Sequence, residues 1–121
     1  MSHRGWIGVD LDGTLATYDH WRGPEHIGEP IVPIVNLVKT WLAQGKEVRI
    51  YTARVSGTPE EVAAAQPAIE TWCQEVIGKV LPVTCKKDYG MIFCVDDRAK
   101  QVVPNTGVLL EELLEQMGIL T

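Results

Sequence analysis

Six polar residues stand directly after apolar runs, and their types suggest one kind of chemistry. Asp10 and Asp12 follow Trp6-Ile7-Gly8-Val9, Thr52 and Arg54 follow Val48-Arg49-Ile50-Tyr51, and Asp96 and Asp97 follow Met91-Ile92-Phe93-Cys94-Val95. If the three runs are parallel strands, their carboxyl ends share one edge of a sheet, where ligands bind in open α/β folds. Four carboxylates gathered there repel one another, which raises their pKa values unless a cation sits among them. An all-oxygen donor set selects a hard divalent ion, Mg²⁺, which keeps several waters and takes only a few protein oxygens.

The elements that must position these residues are legible as pattern. Each run is short, apolar and abruptly ended, as a strand of a parallel sheet would be. Between the first two, Val32, Val35, Val38 and Leu42 recur at helical spacing up to Gln44, and Gly45 is a natural stop. Strand, helix, strand implies a parallel crossover unit. Thr58-Pro59-Glu60-Glu61 reads as a helix start with N-cap threonine, N1 proline and a capping-box glutamate. Pro67 predicts a kink or restart in that helix, whose apolar face continues through Ile69, Trp72, Cys73 and Val76. Val80 to Val83 predicts a short strand confined by Pro82 to an edge. Met91 to Val95 predicts a buried strand, Val102-Val103 a strand stub, and Leu109 to Met117 a helix with Leu109, Leu110, Leu113, Leu114 and Met117 inward. Trp6, Trp41 and Trp72 fall on apolar faces expected in the core. Residues 15 to 30 hold Gly23, Pro24, Gly28 and Pro30 without a sustained period and read as a loop or flap. The expected fold is a single α/β domain over 1–121, a three-layer sandwich around a mainly parallel, Rossmann-like sheet.

Composition narrows the function classes. With 121 residues, 45% hydrophobic and 22% charged, the chain can bury a core without disulfides or structural metal. A net charge of −5 argues against protein-wide attraction to nucleic acid, though a local cluster can still grip a phosphate. No apolar run approaches the ~18 residues of a membrane span, so no membrane association is expected. The start of the chain lacks signal-peptide character, and the three cysteines form no Cys-x-x-Cys pair. A cytoplasmic location with reduced thiols is the expectation.

Taken in order, the motifs resemble the haloacid dehalogenase superfamily of phosphohydrolases. Asp10-Leu11-Asp12-Gly13-Thr14 resembles its first motif, Ile50-Tyr51-Thr52 its second and Val95-Asp96-Asp97 its fourth. The resemblance covers nearly the whole chain. It implies that Asp10 is the nucleophile forming an aspartyl-phosphate, that Asp12 protonates the leaving oxygen and later activates water, and that Thr52 hydrogen-bonds a phosphoryl oxygen. It also implies that Asp10, the Asp12 carbonyl and Asp96 hold Mg²⁺, with Asp97 as a further ligand or as a partner of the ligands, and that a lysine before the last catalytic strand offsets phosphoryl charge. Lys87 is favoured slightly over Lys86 for that role. Gly13 and Thr14, in the motif's turn, are expected against the substrate, and Arg54, ahead of Arg98, is expected either to hold a substrate phosphate or to pair with a neighbouring acid.

The resemblance has limits in spacing. Family members often carry a large cap domain, and residues 15–47 and 55–79 leave no room for one. The stretch from 84 to 90 is also shorter than the helical segment usual there. An uncapped site admits a phosphate on a bulky substrate, or is closed by a neighbouring subunit in a homo-oligomer. The chain is further similar to the 3′-phosphatase domain of phage polynucleotide kinases through Asp10 to Ala16, Ser56-Gly57-Thr58 after Arg54, and Asp96-Asp97-Arg98 before Val102-Val103. A nucleic-acid 3′ end is therefore one expected substrate, and small metabolites or nucleotides are the alternative. A non-enzymatic receiver domain also uses acids, Thr, Lys and Mg²⁺. Its paired acids follow its first strand, whereas here Asp-x-Asp comes first and adjacent acids come last.

Overall fold

The computed structural model describes residues 5–119. Strand β1 (Trp6–Val9) leads through a loop to helix α1 (Val32–Ala43), strand β2 (Val48–Tyr51), a 3-10 turn (Ala53–Val55) and helix α2 (Pro59–Val76). Strands β3 (Val83–Thr84) and β4 (Met91–Val95) and helix α3 (Leu110–Gln116) complete the chain. The sheet runs β3-β2-β1-β4 with every pair parallel. It is an α/β fold with helices flanking the sheet, consistent with a Rossmann-like three-layer sandwich, and no cap appears among the described residues. No helix is long and apolar enough to cross a membrane.

Alternation along the strands decides which side chains meet the helices. Ile7 and Val9 of β1 and Val48 and Ile50 of β2 pack with Val35 and Val38 of α1 and with Ile69, Trp72 and Cys73 of α2 in one buried cluster. Burying each of the larger of these side chains contributes about 1.5–3 kcal/mol. The intervening Arg49 and Tyr51 meet Trp6, Tyr51 edge-on at 6.5 Å and Arg49 over the indole at 4.6 Å. Trp6 and Trp72 are buried, while Trp41 is half-buried and contacts Phe93 edge-on at 5.7 Å.

Helix α2 begins as expected, with a complete capping box: the Thr58 hydroxyl accepts from Glu61 N–H and the Glu61 carboxylate accepts from Thr58 N–H. The expected restart at Pro67 does not occur, because the helix continues to Val76. Proline's φ suits a helix, and the hydrogen bond it forfeits is outweighed by the buried face of Ala65, Ile69, Trp72 and Cys73 on either side. The Trp72 indole N–H reaches 3.1 Å to the Gly28 carbonyl and so pins the loop after β1.

Three expectations for the C-terminal third are corrected. The short strand is Val83–Thr84 rather than Val80 to Val83, at the sheet edge beside β2, where Pro82 needs only its carbonyl, 2.8 Å from Ile50 N. Strand β4 lies at the other edge and is not buried: Ile92 is 60% and Phe93 46% exposed. Helix α3 has no buried residue, and Met117, expected inward, is 62% exposed. An apolar run specifies burial only where another element covers it, and α3 does not bury this strand. The Val102-Val103 stub is reduced to a single bridge between Val102 and Leu109.

The tight return from β3 to β4 is held by Asp88. Its carboxylate accepts from Trp6 Nε1 and from Gly90 N, each at 2.8 Å, and the Gly90 carbonyl accepts from Trp6 N at 2.7 Å. These bonds hold residues 85–90 as they cross the sheet from β3 to β4.

Candidate active site

Asp10 sits where β1 passes out of the sheet. Its N–H still donates to the Val95 carbonyl at 2.9 Å, which sets Asp10 beside the end of β4 and hence beside Asp96. The chain then turns tightly: Leu11 and Leu15 enter the core, and Gly13 N–H donates to the Ala16 carbonyl at 2.8 Å. Gly13 has φ +87°, and a Cβ there would lie 2.5 Å from Asp97 Oδ2. Glycine is what lets the second acid of the late pair approach the first motif.

Thr14 ties the two together. Its hydroxyl oxygen accepts from Asp97 N at 3.0 Å and lies 3.3 Å from both Asp10 Oδ2 and Asp97 Oδ1. With one proton it donates to one of these carboxylates at a time. Carboxylate oxygens of Asp10, Asp96 and Asp97 all lie within 4.8 Å of one another. Burial of Asp10, its hydrogen bond with Asp97, and the charges of Asp96 and Asp97 raise its pKa to about 7. This is the upward shift that clustered acids predict, and a hard divalent cation fits the donor set and would remove the repulsion.

Asp12 faces a different partner. Arg54 grips it with two parallel bonds, Nε to Oδ2 at 2.7 Å and Nη2 to Oδ1 at 2.8 Å, and the Arg54 side chain is only 5% exposed. Its third nitrogen, Nη1, donates to the Pro24 carbonyl at 3.3 Å, and Trp21 lies over the guanidinium at 4.9 Å. The loop of residues 17–30 is thereby fastened to the acid. Thr52, buried at the end of β2, accepts from Arg54 N at 3.1 Å and so turns the chain toward Asp12.

A cavity of about 570 Å³ opens over this edge, and Asp10, Asp12, Thr52, Arg54, Asp96 and Asp97 all line it. The sequence-derived set therefore converges, with three differences in role or place. Gly13 and Thr14, expected against substrate, do not line the cavity; Thr14 is buried behind the carboxylates it bridges. Arg54, expected on a substrate phosphate or on an acid, is committed to the acid Asp12. Lys87 and Lys86 are exposed and line nothing here, because residues 85–90 return from the carboxyl edge of β3 to the opposite edge, where β4 begins.

The sequence reading missed Tyr18 and Cys85 as further lining residues and the Trp21 contact with Arg54, whereas Arg98, weighed there beside Arg54 as a phosphate contact, does line the cavity. Nothing in the spacing signals Tyr18 or Cys85. Arg98, directly after the acid pair, carried the one available signal.

Gly13→Ala tests the close approach of Asp97. If a divalent ion such as Mg²⁺ sits among these acids, the variant is expected to keep its far-UV circular dichroism yet bind that ion at least about tenfold more weakly, since the added methyl would stand 2.5 Å from Asp97 Oδ2 and push that carboxylate aside. Unchanged Mg²⁺ affinity by calorimetry would remove Asp97 from the ion site.

No family model matches this chain, and no curated protein matches it. Among solved structures, a conserved protein coded by a locus of Bacteroides thetaiotaomicron is similar, with a TM-score of 0.55 and 21% identity. The match covers 93% of this chain and 91% of that chain. At this identity the likeness speaks for the α/β fold alone.

Proposed function

We propose that this chain is a Mg²⁺-dependent phosphate monoester hydrolase that works through an aspartyl-phosphate on Asp10, as its resemblance to the haloacid dehalogenase superfamily implies. The observation that carries the reading is the cluster of Asp10, Asp96 and Asp97 oxygens within 4.8 Å, facing the same cavity as Asp12. Asp10, the Asp12 carbonyl, Asp96 and Asp97 would hold the ion, which when bound neutralises the carboxylates and polarises the phosphoryl oxygens.

The residues then divide the reaction. An Asp10 carboxylate oxygen attacks phosphorus, the ester P–O bond breaks, and protonated Asp12 gives its proton to the departing oxygen. Water next attacks the phosphorus of the aspartyl-phosphate, Asp12 takes its proton, and cleavage of that P–O bond releases phosphate and restores the Asp10 carboxylate. Arg54 orients Asp12 throughout and must loosen one of its two bonds for the carboxyl oxygen to exchange a proton. The Thr52 hydroxyl, on the same wall, donates to a phosphoryl oxygen. The three cysteines are free thiols, which suits a cytoplasmic enzyme.

Within this reading a polynucleotide 3′-phosphate is the favoured substrate over small metabolites or nucleotides, because no cap covers the cavity among the described residues. A small ester gains little binding energy away from its phosphate in an open site. A polynucleotide gains more along the surface, where Arg22 lies in a neighbouring cleft beside Tyr18. With Mg²⁺ the protein should release phosphate from monoesters, and EDTA should abolish this. A 3′-phosphorylated oligonucleotide should show a higher kcat/KM than the matching 3′-mononucleotide, with an advantage that shrinks as salt rises. Equal values at low salt would remove the polynucleotide substrate, and no Mg²⁺-dependent release from any monoester would remove the hydrolase reading itself.

A further inference from the structure

The cavity contains an electrostatic imbalance that the motif residues do not resolve. It is lined by four carboxylates and two guanidiniums. One guanidinium is spent: Arg54 has two nitrogens on Asp12, the third on the Pro24 carbonyl, and one face under Trp21. While Asp12 is the carboxylate that Arg54 grips, three carboxylates stand against a divalent ion, and a phosphate dianion approaching that set meets an excess of negative charge. Phosphoryl transfer needs a further cation on the equatorial oxygens.

The cations elsewhere are excluded by position or engagement. Arg22 pairs with Asp19 at 2.8 Å, Arg49 with Glu47 at 2.6 Å and Lys100 with Glu111, and none lines the cavity. Lys86 and Lys87 do not line it either. Arg98 does, and among the described residues its guanidinium has no carboxylate, carbonyl or ring partner. Its backbone is fixed at the ion site: Arg98 N–H donates to Asp96 Oδ1 at 2.8 Å. A metal-site carboxylate thus sets where this arginine leaves the chain.

From these observations we infer that Arg98 is the group that clamps the substrate's phosphate, filling with a guanidinium from the far side of the acid pair the role expected of a lysine before β4. This rests on the phosphohydrolase reading for its catalytic consequence but not for its binding consequence. With a divalent ion and Arg98 present, the charge of Asp10, Asp96 and Asp97 is balanced before substrate arrives. The planar guanidinium offers two parallel donors to two phosphoryl oxygens, a geometry that suits phosphate better than the point charge of an ammonium.

The test measures two ligands on the intact protein: Mg²⁺ alone, and inorganic phosphate in the presence of Mg²⁺, both by calorimetry. Arg98→Gln should weaken phosphate binding by about ten- to a hundredfold. It should leave Mg²⁺ affinity and thermal midpoint near wild type, a separation that a merely structural role would not produce. Arg98→Lys should recover part of the loss, and Lys79→Gln, which removes the same charge away from the cavity, should bind phosphate as wild type does. On p-nitrophenyl phosphate the loss in Arg98→Gln should appear in kcat/KM. Wild-type phosphate affinity in Arg98→Gln overturns the assignment, as does no phosphate binding by the wild-type protein, or a loss in Lys87→Gln in place of Arg98→Gln. If wild-type protein binds Mg²⁺ and phosphate yet hydrolyses no ester, the hydrolase reading falls while the binding data still decide Arg98.

Discussion

Asp10→Asn is expected to lower phosphatase turnover by roughly 10⁴-fold or more while the protein remains folded. The amide has nearly the same volume as the carboxyl and can still accept a hydrogen bond from Thr14, but it is no nucleophile toward phosphorus. Folding should be undisturbed or improved, since the substitution removes a half-buried acid that burial and its neighbours Asp96 and Asp97 already oppose in the ionised form. In the wild-type protein, beryllium fluoride with Mg²⁺ should give an adduct on Asp10 that mimics the acyl phosphate, and the variant should give none. Substantial turnover in a folded Asp10→Asn protein ends the covalent mechanism. An adduct on Asp96 or Asp97 would show the site to be inverted, with the nucleophile at the end of β4.

The second large effect is a reversal of pH dependence by the metal. Without an ion, the Asp10 pKa is raised from 3.8 to about 7 by burial, the hydrogen bond with Asp97, and the charges of Asp96 and Asp97. Between those values the folded chain keeps a proton that the unfolded chain has lost, so this group's contribution to stability falls as pH rises from about 4 to about 7, and levels off above. Mg²⁺ acts in the opposite sense. Bound to the ionised cluster as proposed, it would compete with the proton, so its stabilisation should be small at about pH 5 and large at about pH 8. Thermal melts with EDTA and with Mg²⁺ at both pH values check this, using Asp10→Asn as reference to cancel other titrating groups. The difference between wild type and variant should decline with pH in EDTA and recover with Mg²⁺. A metal-free difference independent of pH would mean that Asp10 is not in the crowded environment described here.

Both predictions depend on neighbours that sequence shows only in part. Local signals were sufficient for what neighbours in sequence decide. The apolar run ending at Asp10, the helical spacing of Val35 and Val38, and Thr58-Pro59-Glu60-Glu61 each specify an element through contacts within a few residues, and each element is present. Because parallel strands align their carboxyl ends, the meeting of Asp10, Thr52 and Asp96 at one edge also followed from those elements.

What only the tertiary structure decided concerns partners distant in sequence. Asp12 and Arg54 are 42 residues apart, and their bidentate pair commits an arginine expected on substrate or on an acid to orienting the acid. Thr14 and Asp97 are 83 apart, and their bonds turn an expected substrate contact into a buried strut between two motifs. The composition of β4 predicted burial, but exposure depends on what covers a strand, and its edge position with α3 unburied is not encoded in Met91 to Val95. Likewise, Lys87 stands at a plausible distance along the chain from the acids, but the path of residues 85–90, held by Asp88 and Trp6, leaves Arg98 as the unpaired cation lining the cavity. Hydrogen bonding and charge act through space, and the spatial order of these groups exists only once the sheet has formed.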